Sequence, residues 1–312
     1  MAYEYHITDV FTDRPFSGNQ LAVITDARGL TDTQMATIAR EFNFSESVFV
    51  FPPEDPAHTK RVRIFTPTSE LDFAGHPTIG TAFVLGATGV IQLEDSETRI
   101  VLEENVGPVP VLIRSENGHP VFAELTAAKI PERGIEKYDA ASIAAVLSLE
   151  PEAVTVDGGY GIEWWTVGVP YLYVPLRDAD ALLRARISMD HWEKKLRDTP
   201  APELYLFTEE EASAARSGVR SGDGVIRARM YAPALGIIED PATGSAAAAM
   251  GGYLASRSDK KDGMLRYTIH QGVEMGRPSR LEVEVDVVDA AVEGVRVGGA
   301  SVLISSGVLH VP

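Results

Sequence analysis

The pattern of apolar and polar positions near the start of the chain predicts two strands followed by a helix. The segments YEYHITDVF and NQLAVITDA are rich in β-branched and aromatic residues and flank the turn-forming stretch TDRPFSGN, so we expect them to pair. Apolar residues from Met35 to Phe42 recur at helical spacing, and Thr31 with Gln34 forms a capping-box pattern before them. The segments SVFVF and KRVRIFT predict two further strands.

Both halves of the chain alternate strands and helices. In the first half, GHPTIGTAFVLGATG consists mainly of small and apolar residues, which is typical of a helix that is buried on all sides. In the second half, Ile143, Val146 and Leu147 mark a helix, and TVGVPYLYVPL and ELYLFTE predict strands. The segment VIRARMYAP then leads as a strand toward a second glycine-rich turn, EDPATGSAA.

Two segments half a chain apart share the same order of features. RIFTPTSELDFAGHPTIGTAFVLG begins at Arg63, and RMYAPALGIIEDPATGSAAAAMGG begins 166 residues later, at Arg229. Each reads as a strand, a proline, an acidic residue, a glycine turn and a helix of small residues. This repetition predicts an α/β (α+β) fold of two pseudo-equivalent domains, each with a sheet around a central helix.

The boundary between the two domains is expected between residues 115 and 135, where SENGHP and KIPERG supply turn formers. We assign residues 1–125 to the first domain and residues 126–299 to the second. The last strand, ASVLISSGVLHV, is expected to return to the first domain as residues 300–312.

Composition and charge narrow the class of protein. The 312 residues suit two domains, and 45% hydrophobic with 23% charged residues is typical of a globular chain. The formal net charge of −17 disfavours nucleic acid and anionic membrane surfaces as partners, because both repel an acidic protein. Since the chain shows no signal-peptide pattern and no long apolar run, a cytoplasmic location is expected.

The residue types that hold metals and phosphates are missing or scattered. Cysteine is absent, which excludes disulfides, thiolate metal sites and cysteine nucleophiles. Six of the seven histidines show no metal-ligand spacing, namely His6, His58, His119, His191, His270 and His310. No Gly-x-Gly-x-x-Gly follows a strand, and no phosphate-binding lysine loop is present. We therefore expect neither a metal nor another cofactor.

The two glycine-rich turns suggest a site for an anion. Each precedes a predicted helix, beginning near Gly75 and Gly244, and a helix N-terminus offers unpaired N–H groups and a partial positive charge. If the halves are pseudo-symmetric, both helices point into one cleft between the domains and bind a carboxylate there. The alternative is that these glycines only permit tight turns and close packing. The presence of two copies favours the binding interpretation.

Four residues near these turns are candidates for acid–base chemistry. Glu46 is flanked by four phenylalanines, namely Phe42, Phe44, Phe49 and Phe51. Such neighbours would desolvate its carboxyl and raise its pKa toward neutrality. Alternatively, Glu46 is a carboxylate at a strand edge that faces water. His76 is either an acid–base group or a helix residue that bonds a backbone carbonyl. Asp240 and its neighbour Glu239 complete the set.

At these residues the chain resembles a known family. The segments DVFTDRPFSGNQLAVI, FSES, RIFTPTSELDFAGHPTIGTA, VGVPYLYVPL, EDPATGSAA and QGVEMGRPS occur in this order between residues 9 and 279. Together they resemble the signature segments of the PhzF-like isomerases of phenazine biosynthesis. That family is similar in fold to diaminopimelate epimerase, which implies two related α/β domains, each a barrel-like sheet around a central helix.

The resemblance implies a reaction and a set of site residues. In the founding member a glutamate takes a proton from one ring carbon of a dihydro-hydroxyanthranilic acid and returns one to another carbon, without a cofactor. The residues that match catalytic positions are Glu46, His76, Asp240 and Ser245. The residues that match substrate-binding positions are Asn19, Ser45, Gly75, Gly244 and Gln271. The resemblance also implies a small carboxylate-bearing substrate and a homodimer.

Alternatives and departures remain open at this point. An epimerase could use Glu46 and Asp240 as opposed bases, and a binding protein could keep the cleft without turnover. A two-thiol racemase is excluded because the chain has no cysteine. Gln20 stands where the family more often has proline, which we expect to alter a turn. Trp164 and Trp165 are expected in the core, although they could instead reshape a substrate pocket.

Overall fold

The computed structural model describes residues 1–155, 159–210 and 223–312. Contacts between residues divide the chain into two compact units. Unit 1 comprises Met1–Thr126 and Gly298–Pro312, and unit 2 comprises Ala127–Val297. Strands and helices are mixed throughout, which confirms the predicted α/β class.

The elements of unit 1 are two helices and nine strands among the described residues. They are β1 (Ala2–Val10), β2 (Asn19–Ile24), α1 (Asp32–Phe42), β3 (Glu46–Phe51), β4 (Lys60–Phe65), β5 (Glu70–Leu71), α2 (Gly75–Ala87), β6 (Glu97–Glu104), β7 (Gly107–Glu116), β8 (His119–Thr126) and β18 (Ser301–His310). The remaining elements are β9 (Glu132–Arg133), α3 (Ala140–Val146), β10 (Glu163–Thr166), β11 (Pro170–Pro175), α4 (Ala179–Arg184), α5 (Met189–Lys195), β12 (Glu203–Glu209), β13 (Asp223–Ala232), β14 (Ile237–Asp240), α6 (Gly244–Ala255), β15 (Gly263–Gln271), β16 (Ser279–Val288) and β17 (Ala291–Gly299).

The strands of each unit pair in the same order. In unit 1, β1 is antiparallel to β2, β2 is parallel to β3, and β3 is antiparallel to β4. Strand β4 then pairs antiparallel with β5 and parallel with β6, and β6 is antiparallel to β7. Unit 2 repeats this sequence of pairings from β10 to β16. The internal sequence repeat therefore has a counterpart in the strand pairing.

Helix α1 forms as its sequence predicts. The side chains of Thr31 and Gln34 each bond the other's backbone N–H, which completes the capping box. Met35, Ile38 and Ala39 are buried on one face, as their helical spacing predicts. The helix ends at Asn43, whose left-handed backbone is a common helix stop.

Helices α2 and α6 are the buried helices of their units. Helix α2 contacts β1, β2, β3, β7, β8 and β18, and every residue from Gly75 to Gly86 is buried. Helix α6 contacts β9, β10, β11, β15 and β16. The small residues permit this close approach: a Cβ added to Gly80 would lie 2.6 Å from side-chain carbons of Leu21 and Val10. The prediction of a helix buried on all sides is confirmed for α2.

Two details of the predicted strands are wrong. The segment TVGVPYLYVPL is not one strand, because β10 ends at Thr166 and the chain turns at Gly168, with φ 149°, before β11. Gln20 does not lie in a turn but within β2, where it faces Asp9 of β1. The last strand, β18, pairs antiparallel with β1. Among the described residues, no helix is long and apolar enough to cross a membrane.

Candidate active site

Glu46 and His76 lie against each other in unit 1. Glu46 is the first residue of β3 and pairs with Leu21 of the parallel strand β2. His76 is the second residue of α2, which packs on these strands. Nε2 of His76 is 3.4 Å from Oε2 of Glu46, and the residues are only 4% and 9% exposed. The fold thus brings together two residues that are 30 positions apart in the chain.

The imidazole of His76 is held neutral by its surroundings. Burial lowers its pKa from 6.5 to about 3, and a hydrogen bond with the backbone of Gln20 opposes this shift only weakly. Nδ1 lies 3.3 Å from Nδ2 of Asn19, which is buried as well. Among the described residues Nε2 has no hydrogen-bond partner. A neutral ring with one nitrogen facing a carboxyl can donate to or accept from a bound ligand.

We expect His76 to stay neutral between pH 8 and pH 5. The unfolded chain binds this proton near pH 6.5 and the folded chain only near pH 3, so His76 lowers stability as the pH falls through this interval. Nuclear magnetic resonance of the imidazole nitrogens measures the charge directly, and the spectrum of His76→Gln identifies the His76 signal. A titration of that signal above pH 5 would contradict the assignment.

The loop between β1 and β2 delivers Asn19 to this site. Gly18 has φ 65°, and a Cβ there would lie 2.3 Å from the carbonyl oxygen of Val10, so only glycine fits. Phe16 also has a left-handed backbone, with φ 66°, and its amide donates to Oδ2 of Asp9 at 2.7 Å. Because Asp9 is buried, this hydrogen bond ties the middle of the loop to strand β1.

Two other predicted residues of unit 1 lie at the starts of the same elements. Gly75 is the first residue of α2, and Ala74 before it provides no side-chain cap for the helix amides. Ser45 precedes β3 directly and is half-buried. The start of α2 therefore keeps N–H groups that no capping side chain occupies.

In unit 2, Asp240 belongs to a network of buried polar groups. Its Oδ2 accepts a hydrogen bond from the hydroxyl of Thr243 at 2.5 Å. Gln271 donates from Nε2 to the backbone oxygen of Asp240 at 2.8 Å and to the Thr243 hydroxyl at 3.0 Å. Tyr205 donates to Oε1 of Gln271 at 3.0 Å. Both amide atoms of Gln271 thus have protein partners, and its role in substrate binding stays a prediction.

Ser245 holds the position in α6 that His76 holds in α2. It is the second residue of the helix, after Gly244, and it is half-buried. Its hydroxyl lies 2.7 Å from the hydroxyl of Tyr171 on β11. Thr243 precedes the helix without capping it, because the Thr243 hydroxyl is bonded to Asp240. The two helices therefore begin alike, with a glycine, a polar second residue and no side-chain cap.

Glu239 has a structural role. Its carboxylate accepts from Nε and Nη2 of Arg229 at 2.8 and 2.9 Å. Arg63 and Glu70 make the same paired contact in unit 1, at 2.8 and 2.6 Å. Both pairs join the hairpin-like strands that precede the buried helix. Glu239 is therefore engaged as an ion-pair partner, and its role as an acid–base group stays a prediction.

The predictions for the aromatic residues are only partly confirmed. Phe49 and Phe51 project from the face of β3 opposite to Glu46, and Phe49 packs edge to face on Phe65. They do not desolvate the Glu46 carboxyl. Trp165 is buried against Tyr253 of α6, as expected for a core residue.

Trp164 is half-buried at the margin of the unit 2 core. It packs against Gly134, where a Cβ would lie 1.7 Å from its ring, and its Nε1 donates to Glu136. The expectation that both tryptophans are core residues thus holds fully for Trp165, and only at the core margin for Trp164.

Glu203 is a buried acid that the sequence interpretation missed. It opens β12 and pairs with Tyr171 of the parallel strand β11, as Glu46 opens β3 and pairs with Leu21. Glu203 is 2% exposed, and burial raises its pKa to about 7. The signal was present in the sequence, because an acidic residue opens both ESVFVF and ELYLFTE.

The whole chain resembles phenazine biosynthesis proteins. The family model of the phenazine biosynthesis-like proteins (PhzC-PhzF) matches residues 8–307. The chain belongs to this family. It is 37% identical over 310 residues to the uncharacterized isomerase mll1393 of Mesorhizobium japonicum, a match that covers 98% of each chain. It is 34% identical over 306 residues to the trans-2,3-dihydro-3-hydroxyanthranilate isomerase of Pseudomonas aeruginosa, again over 98% of each.

A solved structure shows the same relationship. The crystal structure of a PhzF family phenazine biosynthesis protein from Bacillus anthracis matches with a TM-score of 0.86 at 25% identity, covering 100% of both chains. The resemblance inferred from the motif segments is confirmed. Since the named relatives are isomerases, this PhzF-like protein is an enzyme of the isomerase and epimerase type.

Proposed function

We propose that this PhzF-like protein is a cofactor-independent isomerase that moves a proton on a small carboxylate-bearing substrate. Glu46 takes a proton from one carbon, exchanges it with solvent and delivers a proton to another carbon, so that a double bond shifts. The observation that carries the proposal is the contact between the Glu46 carboxyl and the neutral imidazole of His76. A trans-2,3-dihydro-3-hydroxyanthranilate isomerase among the relatives supports a dihydroaromatic acid as the substrate class.

The arrangement of unit 1 suits general acid–base catalysis by one side chain. A single carboxyl that both accepts and donates must stay beside the substrate while its charge changes. The buried position of Glu46 at the start of β3 restricts its movement. His76 can bond the substrate or Glu46 itself without adding charge, because its ring is neutral. Such proton transfer contributes about 10²–10⁴-fold to the rate.

The starts of the two buried helices would hold the substrate carboxylate. Both begin with a glycine and lack a side-chain cap, so their N–H groups are available to an anion. This local positive potential matters in a chain with a net charge of −17. We propose that Ser245 and Asp240 position the same ligand that Glu46 acts on, which the internal repeat and the family resemblance support. A cytoplasmic homodimer stays part of the proposal.

The test of this function is isomerisation in heavy water. Incubation with trans-2,3-dihydro-3-hydroxyanthranilate should produce a change in ultraviolet absorbance from the shifted double bonds and one deuterium at the carbon that receives the proton. We expect the same rate after exhaustive treatment with a chelator, because side chains alone carry the proton. Heat-inactivated protein is the control.

Other outcomes of this experiment would contradict the isomerase. Recovered substrate with an inverted stereocentre and unmoved double bonds would identify the alternative epimerase, with Glu46 and Asp240 as opposed bases. Absence of exchange with a panel of dihydroaromatic carboxylates that nevertheless bind would favour a binding protein.

A further inference from the structure

Glu104 is a buried acid that the proposed proton transfer does not use. It is the last residue of β6 and is 5% exposed. Its Oε1 lies 2.5 Å from the hydroxyl of Thr78 in the first turns of α2, and its Oε2 is buried without a hydrogen-bond partner among the described residues. The carboxyl thus touches the turn that carries His76.

Counting protons around Thr78 fixes the state of Glu104. The Thr78 hydroxyl oxygen lies 2.7 Å from the carbonyl oxygen of Ala74 and 2.5 Å from Oε1 of Glu104. The hydroxyl has one proton and a carbonyl oxygen has none, so the Ala74 contact is a hydrogen bond only if the hydroxyl donates to Ala74. The short contact with Glu104 is then a hydrogen bond only if the carboxyl carries a proton and donates it to the hydroxyl. An ionised Glu104 would compete with Ala74 for the single proton.

The surroundings of Glu104 favour the protonated form at neutral pH. Burial raises its pKa to about 8, and the nearby Thr78 hydroxyl, the charge of Arg61 on β4 and the Ala74 amide only partly offset this. At the end of β6, the paired positions of β7 are Gly107 and Pro108, which carry no charge.

The other elements packed against Glu104 add no further cation among the described residues. On α2 the ionisable residue is His76, whose ring is neutral. In the segment before α2, Asp72 has an exposed side chain, and its backbone oxygen accepts from Val106 of the β6–β7 turn. Glu103, the neighbour of Glu104 on β6, binds the amides of Glu54 and Asp55.

We propose that Glu104 is a positioning residue that works in its protonated form: it holds the first turn of α2, and thereby places His76 against Glu46. This inference rests on the proposed function of Glu46 and His76. Ionisation of Glu104 in alkaline solution removes the donor to Thr78 and loosens that turn. The active enzyme therefore has an alkaline limit set by a group that never touches the substrate.

The pH profile of proton exchange tests this role. We expect the wild-type rate to fall above about pH 8, at the pKa of Glu104. Glu104→Gln should lack this alkaline fall, because a glutamine amide donates to Thr78 at every pH. Thr78→Val, which removes the acceptor, should lower the rate across the whole profile. The same alkaline fall in wild type and Glu104→Gln would overturn the proposal.

A second measurement does not depend on any substrate. Infrared spectra at pH 7 should show a protonated carboxyl in the wild type that is missing in Glu104→Gln. The unfolded chain ionises Glu104 near pH 4.5 and the folded chain near pH 8, so wild-type stability falls relative to Glu104→Gln across this interval and stays level above it. An unchanged infrared spectrum in Glu104→Gln would overturn the protonated state, even if no isomerase substrate were found.

The neighbouring acid provides the matched control. Burial tends to raise the pKa of Glu103, but the amides of Glu54 and Asp55 together with His58 lower it, so this carboxylate is ionised at pH 7. Glu103→Gln should therefore leave the protonated-carboxyl band in place. Loss of the band in Glu103→Gln would show that Glu103, and not Glu104, carries the proton, which would overturn the proposal.

Discussion

Replacing Glu46 by glutamine should reduce the rate of substrate proton exchange by at least about 100-fold, the usual lower effect of removing a general base. Glutamine keeps the size and hydrogen-bonding shape of the side chain but cannot take up and return a proton at neutral pH. Substrate affinity should change by less than about tenfold, or ~1.4 kcal/mol, because the helix starts and Ser245 remain. Deuterium incorporation and ligand titration measure the two effects separately.

Glu203→Gln is the matched control for this variant. Glu203 has the same strand position in unit 2 and is also buried, but the proposal gives it no proton to transfer. Its variant should exchange protons at close to the wild-type rate.

Asp240→Asn should have a milder effect than Glu46→Gln if Asp240 only positions the substrate, whereas an epimerase with opposed bases would lose racemisation in both. Wild-type exchange in Glu46→Gln would refute the proposed catalyst.

The parts of the fold that depend on local sequence could be predicted. The capping box of Thr31 and Gln34 and the buried helix from Gly75 follow from residues within one or two turns of each other. The break in TVGVPYLYVPL was missed because proline and β-branched residues around Gly168 continue the strand composition through the turn. Backbone conformation at a single glycine is not visible in such a pattern.

The site shows where prediction from sequence ends. Motif resemblance selected Glu46 and His76, and the structure places them 3.4 Å apart. The reason given for the burial of Glu46 was wrong for Phe49 and Phe51, because both lie on the face of β3 opposite to Glu46. Glu104 and Thr78 are 26 positions apart, and only the tertiary fold brings the end of β6 against α2. Contacts of this kind need the tertiary structure.

The internal repeat could be predicted, but its ion pairs could not. Arg63 and Arg229 open the two aligned segments, and each binds a glutamate of the next strand. The sequence shows the charges without showing which carboxylate each arginine reaches. The pairs also differ in depth, since the Arg229 side chain is 4% exposed and that of Arg63 is 23% exposed. Equivalent positions in the repeat therefore need not contribute equally to stability.

Arg229→Met should destabilise unit 2 by about 3 kcal/mol, because it leaves the carboxylate of Glu239 without its partner in a largely buried place. Arg229 also donates to the backbone oxygens of Leu182 and Ala185, at 2.8 and 2.9 Å, and these acceptors lose their donor. The double variant Arg229→Met with Glu239→Leu should recover part of the loss, since it removes the unpaired carboxylate but leaves the two carbonyl oxygens without their donor.

The matched variant in unit 1 separates burial from the mere presence of an ion pair. Arg63→Met should cost only about 1 kcal/mol, because water reaches this pair and weakens the attraction. All three tryptophans lie in unit 2, so urea unfolding followed by tryptophan fluorescence reports the Arg229 variants, and far-ultraviolet circular dichroism reports both units. Equal losses for Arg63→Met and Arg229→Met would show that the repeat, rather than the depth of the pair, determines the contribution.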